Sequence, residues 1–154
     1  MRKFSSRSWS RLQGVHPDLV EVTNTALQLS SVDFGITQGL RTVEQQREYV
    51  RTGKSKTMKS RHLTGHAVDV IAYVDGKYTY KPFDLYTQIA EAFREASLQH
   101  GVPVLWGAAW LRSLDTYSSA SVALSDYVDT RRAEGRKPFL DGPHFQLTWK
   151  DYPV

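Results

Sequence analysis

The sequence predicts an α+β fold, a small and mostly antiparallel sheet flanked by helices. Three observations carry that expectation. Segments with helical periodicity and short β-branched runs mix along the chain without the regular βαβ alternation of a parallel sheet. An Asp75-Gly76 pair joins two strand-like runs as a tight hairpin near the middle of the chain. The 154 residues, 40% hydrophobic and 23% charged, fit one ordinary domain with a real core and leave no room for a second of typical size.

After a polar N-terminal stretch, Pro17 suits a first helical position, and Leu19, Val22, Ala26 and Leu29 recur at helical steps, predicting an amphipathic helix over 17–30. Residues 33–39, with Phe34 and Ile36 on alternate positions and a glycine at the end, read as a strand leading into a turn. Thr42 and Gln45 form a capping box for a helix that runs to about Arg51 and stops at Gly53. The stretch from Lys54 to Arg61 is a basic loop. AVDVIAY at 67–73 is strand-like and opens the central hairpin. Leu85, Ile89, Ala92, Phe93 and Ala96 share one helical stripe within 83–99, the main core helix, with Gly101 as its stop. Val102 to Trp106 and HFQLTW from His144 to Trp149 are two further strands, and Ser118 to Gly135 is either a polar helix or an ordered insertion.

Composition narrows the chemistry. Without cysteine there is no disulfide, thiolate metal site or thiol nucleophile, so any metal must be held by His and carboxylate. No apolar run reaches the roughly 18 residues of a membrane span, and MRKFSSRSWSRLQGVHPDL has no apolar stretch of signal-peptide length, so stable membrane insertion and secretory export are not expected. A net charge of +4 favours acidic partners such as nucleic acid, anionic lipid or cell-wall polymer. The basic clusters at Lys54–Arg61 and around Arg131 and Arg132 read as solvated faces. No recognition helix, finger or aromatic RNA-binding pattern accompanies them, so nucleic acid is not an expected partner.

Two segments carry chemistry. In SRHLTGHAVD, His62 in the basic loop and Asp69 in the hairpin strand can converge on one point. In DGPHFQL, Asp141 stands three residues before His144, and Gly142 and Pro143 force a tight approach to the last strand. If that strand lies beside the hairpin, His62, Asp69 and His144 can hold one ion. Two imidazoles and a carboxylate suit zinc and leave a fourth position for water, the catalytic arrangement. Such water ionises near neutral pH, and a nearby carboxylate, for which Asp141 is the candidate, takes and returns its proton. His16 and His100 read as structural. His66 reads as a near-site or surface residue, because Gly65 and the following strand break the helical pattern of paired metal histidines.

SRHLTGHAVD closely resembles the SxHxxGxAxD signature of the zinc D-alanyl-D-alanine carboxypeptidase and L-alanyl-D-glutamate endopeptidase family, whose fold is shared with hedgehog signalling domains. DGPHFQL resembles that family's second signature. FGITQGLRT, the VDGKY hairpin and WGAAW extend the resemblance, from about Val15 to Trp149, to single-domain L-alanyl-D-glutamate peptidase endolysins of tailed phages. The resemblance implies that His62, Asp69 and His144 are zinc ligands and that Asp141 is the general base. It implies that Arg41 binds substrate or the charge developing on the attacked carbonyl, the alternative being a surface arginine at a helix start. Ser60 matches the signature serine, a supporting or substrate hydrogen-bond donor. Relatives often have an acidic residue where Ala109 stands, so the resemblance leaves open whether a regulatory calcium site exists. Trp106 and Trp110 read as core, with a substrate groove as the alternative.

The expected function is therefore a zinc-dependent endolysin that hydrolyses the L-alanyl-D-glutamate bond of bacterial peptidoglycan. It is expected to be a monomer of one catalytic domain, 1–154, with no separate wall-binding domain. It would reside in the host cytoplasm before lysis and act on the wall in the periplasm. A D-alanyl-D-alanine carboxypeptidase with the same chemistry is the rival enzyme, and a non-catalytic wall-binding domain is the rival of another class.

Overall fold

Local chemistry sets the ends of most elements in the computed structural model, which describes residues 1–154. His16 caps α2 (Pro17–Leu29) by accepting the Asp18 amide on Nδ1, and Pro17 takes the first turn. Leu19, Val22, Ala26 and Leu27 point into the core, whereas Leu29, at the frayed end of the stripe, is exposed. After β1 (Asp33–Gln38), the reciprocal Thr42–Gln45 capping box opens α3 (Val43–Arg51). A 3₁₀ turn at Arg61–Thr64 ends on Gly65 in the left-handed region and leads into β2 (Ala67–Val74). Asp75 and Gly76 both take positive φ, 52° and 78°, as a tight hairpin to β3 (Lys77–Thr79) requires. Then follow α4 (Asp84–His100), β4 (Val104–Trp106), a 3₁₀ turn at Leu114–Thr116, α5 (Ala120–Ala133) and β5 (His144–Leu147).

The strands form one five-stranded sheet in the order β1-β2-β5-β4, with β3 added to β2, and every pairing is antiparallel. The α+β expectation is met. Because side chains alternate across a strand, Val68, Val70 and Ala72 of β2 and Phe145 and Leu147 of β5 face the helices, where Phe93 of α4 stacks on Phe145. Asp69 and His144 must then lie on the opposite face. They are direct cross-strand partners in the β2–β5 ladder.

Several expectations need correction. The polar N-terminal stretch contains α1 (Ser6–Arg11), capped by Ser5 and fixed against β1 where Ser8 Oγ accepts the Ile36 amide. Six residues with one buried serine give no periodic signal. Ser118 to Gly135 resolves as α5, whose buried face is only Ala120, Ala123 and Tyr127 and whose first amide is taken by Glu91 of α4. Arg61 does not belong to a solvated basic face. It is buried, donates to the carbonyls of Leu147, Thr148 and Tyr152, and stacks over Trp149, tying the C-terminal segment to the 3₁₀ turn.

Candidate metal centre and active site

His62 sits in the 3₁₀ turn whose start is capped by Ser60, with the His62 amide donating to Ser60 Oγ. Its ring is held by a hydrogen bond from Nδ1 to the Gly39 carbonyl, 2.8 Å. A carbonyl only accepts, so Nδ1 carries the proton and Nε2 offers its lone pair. That Nε2 is buried and has no well-aligned hydrogen bond, although Asp69 Oδ1 lies 3.2 Å away. His144 shows the mirror arrangement: Nε2 donates to Gln146 Oε1 at 2.8 Å, and Nδ1 faces Asp69 Oδ1 at 3.1 Å. Gln146 is two residues on along β5, hence on the same face as His144. One ligand atom each from His62, Asp69 and His144 lies within 4.8 Å of the other two.

The electrostatics fit a cation there. Burial alone would push the Asp69 carboxyl up, but hydrogen bonds and charge from His144 and His62 hold it far below the usual carboxylate range. Burial opposes charging His144, yet Asp69 raises its pKa above that of an ordinary histidine. A half-buried carboxylate caught between two imidazoles demands positive charge, supplied either by protons or by a metal.

Asp141 precedes β5 in a turn fixed by backbone bonds. Its amide donates to the Gly107 carbonyl, the Gly107 amide donates to the His144 carbonyl, and Trp106 Nε1 donates to the Gly142 carbonyl, each at 2.8 Å. The Asp141 carboxylate lines the same cleft as His62, Asp69 and His144. Burial raises its pKa, and the Asp69 charge raises it further, while His144, His62 and Arg41 act the other way.

Arg41 is not a surface residue. It is 7% exposed, with its guanidinium 4.4 Å above the Tyr49 ring, donating to Gln46 Oε1 at 2.6 Å and lying 3.9 Å from Asp69 Oδ2. It also reaches Ser60 Oγ at 3.5 Å, so Ser60 joins Arg41 to the turn that carries His62. Arg41 Nε is buried without a partner.

The cleft measures about 920 Å³ and has an aromatic wall. Trp110 stacks on His144 at 5.6 Å between ring centres and on Phe139 at 6.2 Å, and its indole N–H is buried and unpartnered. Trp106 is core, as expected, but Trp110 belongs to the groove. His66 is neither a surface residue nor part of the cluster. It is buried with its ring 5.5 Å from that of His16, and burial together with the Arg61 and His16 charges lowers its pKa. His100 contacts Glu21 at 3.1 Å and Thr25 at 2.8 Å, linking α4 to α2. Sequence reasoning missed Tyr49, Gln146 and Gly107; for Gln146 the signal was there, in the two-residue spacing from His144 on a strand.

A family model described as phage L-alanyl-D-glutamate peptidase matches residues 1–148. The chain is 36% identical over 148 residues to the L-alanyl-D-glutamate peptidase of Escherichia phage T5, covering 94% of this chain and 97% of that protein. Among solved structures, the L-Ala D-Glu endopeptidase ChiX of Serratia marcescens superposes with a TM-score of 0.75. It is 42% identical and covers 99% of this chain and 95% of its own.

Proposed function

The chain belongs to the phage L-alanyl-D-glutamate peptidase family, and from that premise we propose that it is a zinc-dependent peptidoglycan endopeptidase, an endolysin that hydrolyses the L-alanyl-D-glutamate bond of the stem peptide. The observation that carries the reading is the convergence of His62, Asp69 and His144, with each imidazole hydrogen-bonded through its outer nitrogen to an oxygen, Gly39 O or Gln146 Oε1, so that the inner nitrogens face one point. These three residues would hold the ion, which when bound supplies Lewis acidity toward the carbonyl and acidifies water in the site.

The remaining steps fall to the side chains of the cleft. Asp141, kept basic by burial and by Asp69, takes a proton from the attacking water and returns it to the leaving amine of D-glutamate. Arg41 faces the cluster from the other side and stabilises negative charge as it develops on the attacked carbonyl oxygen, an effect worth roughly 3–4 kcal/mol when such a donor is well aimed. Gln46 and Tyr49 hold the guanidinium in place. Ser60 positions both Arg41 and His62 and is within the cleft to meet substrate. Trp110 excludes water from one face of His144.

This catalytic domain acts as a monomer. It is made in the host cytoplasm and reaches the wall in the periplasm once a separate membrane-permeabilising protein has acted; no helix of the chain is long and apolar enough to cross a membrane. Chelation should abolish wall hydrolysis and zinc should restore it. Asp141→Ala should fold and bind zinc yet be inactive, and an active Asp141→Ala protein would sink the mechanism.

A further inference from the structure

Both lips of the cleft are basic. Lys54, Lys56 and Lys59 come from the loop after α3, and Arg131 and Lys137 come from the end of α5 and the segment beyond it. Two clusters remote in sequence, each unremarkable alone, are thus brought by the fold to one cavity. None of these five side chains forms an ion pair within the chain, whose salt bridges all involve other residues. The only acidic residues lining the cleft are Asp69 and Asp141, and Asp69 is already committed to the two imidazoles. Arg131 leans over the Tyr127 ring at 5.7 Å with its Nε buried and unpartnered. Like charges gathered round a concave site repel one another, and their field draws an anion into it.

We propose that this rim is a carboxylate-binding site, and that the substrate it selects is a stem peptide with free rather than amidated carboxylates on the D-glutamyl side. The inference rests on the reading above and names the substrate class of that same site. A D-glutamyl residue that continues the peptide through one carboxyl keeps the other free, and each acidic residue or chain end beyond it adds one more. A ligand reaching from the metal cluster to the lips meets Lys54, Lys56 and Lys59 on one side and Arg131 and Lys137 on the other. The volume of about 920 Å³ accommodates several residues of such a peptide.

The test uses zinc-loaded protein and two probes that cannot be cleaved, γ-D-glutamyl-diaminopimelic acid and its fully amidated form, with binding followed by calorimetry and by the fluorescence of Trp110 and Trp149, both in the cleft. The free acid should bind at least about fivefold more tightly than the amide at low salt, with the advantage shrinking as salt is added. K54Q/K56Q/K59Q and R131Q/K137Q should each reduce affinity for the free acid severalfold and leave that for the amide unchanged. The four lysines are exposed, so K54Q/K56Q/K59Q should fold; because Arg131 packs on Tyr127, K137Q alone is measured beside R131Q/K137Q and should lose part of the same affinity. Equal affinity for acid and amide would overturn the proposal. So would an acid preference that survives in both variants, which would belong to the metal centre, or tighter binding of a short DNA duplex that the same substitutions abolish. Cleavage of an L-alanyl-D-glutamyl peptide is scored separately: its absence with the acid preference intact would remove the endopeptidase reading and keep the rim.

Discussion

Gly107 is the point at which one methyl group should separate catalysis from folding. A Cβ built there would lie 2.3 Å from the Asp141 carbonyl oxygen and 2.9 Å from His144 Cβ, against 3.4–4 Å for ordinary contact. The first of these is backbone, and it cannot swing away as a flexible side chain would. The Asp141 turn must therefore move off by roughly 1 Å, and it carries the carboxylate proposed above to handle the proton. The same shift strains the two 2.8 Å backbone bonds that tie Gly107 to Asp141 and His144. Overpacking of this kind costs about 1–3 kcal/mol, or roughly 2–4 °C in Tm per kcal/mol for a chain of this size. Misplacing a catalytic group by about 1 Å can cost about a hundredfold in rate. Gly107→Ala should thus lose about a hundredfold in kcat/KM on an L-alanyl-D-glutamyl peptide, normalised to folded, metal-loaded protein. Gly76→Ala is the control: its φ of 78° also makes it costly, yet nothing lies within 4 Å of the new carbon. That variant should lose roughly 1–2 kcal/mol of stability and keep its activity. A Gly107→Ala enzyme within threefold of the parent would refute the positioning argument.

Three further outcomes follow from the geometry. Asp141→Asn should raise the Tm of the metal-free protein at neutral pH: burial lifts the folded-state pKa above that of the unfolded chain, so above both values the ionised carboxylate opposes folding, and a neutral amide removes that cost. The same variant should be at least about a hundredfold slower, and a lower Tm in chelator would contradict the sign. Because Asp69 raises the pKa of His144, protons compete with the metal for that ring above the ordinary histidine range as well as within it. Metal affinity should therefore rise with pH through and beyond the ordinary histidine range, with proton release visible as a buffer-dependent binding enthalpy; an affinity flat between pH 6 and 8, a range chosen around the roughly 6.5 of free histidine, would be inconsistent. Arg61→Met should cost about 2–4 kcal/mol in urea denaturation, because three carbonyls lose a charged donor, and a change below about 0.5 kcal/mol would show the tie to be unimportant.

The parts of this protein that were legible in its sequence are those set by local chemistry. The Thr42–Gln45 box, the Asp75-Gly76 turn, the stripe of α4 and its Gly101 stop all act within a few residues of themselves, and the structure has each of them. The grouping of His62, Asp69 and His144 was legible for a different reason: spacing and order suggested it, and the β2–β5 register brings it about. What could not be read depends on distant neighbours. Arg61 looks like one more charge in a basic loop until the carbonyls of Leu147, Thr148 and Tyr152 arrive from the far end of the chain. Helix α1 is tied to β1 by the Ser8 hydroxyl and the Arg11 guanidinium, and α5 buries only Ala120, Ala123 and Tyr127, so neither shows a hydrophobic stripe. Trp110 and Trp106 are alike in sequence, and only the fold turns one into the core and the other onto His144.

The cluster at His62, Asp69 and His144, with Asp141 beside it, should cut one bond of the stem peptide. Mass spectrometry of purified Gram-negative peptidoglycan digested by the zinc-loaded protein, with the Asp141→Asn variant in parallel, tests it most directly. Released peptides should begin with D-glutamate, the glycan should still carry L-alanine, and the variant should give no such products. Loss of terminal D-alanine alone, or the same products from the variant, would contradict it.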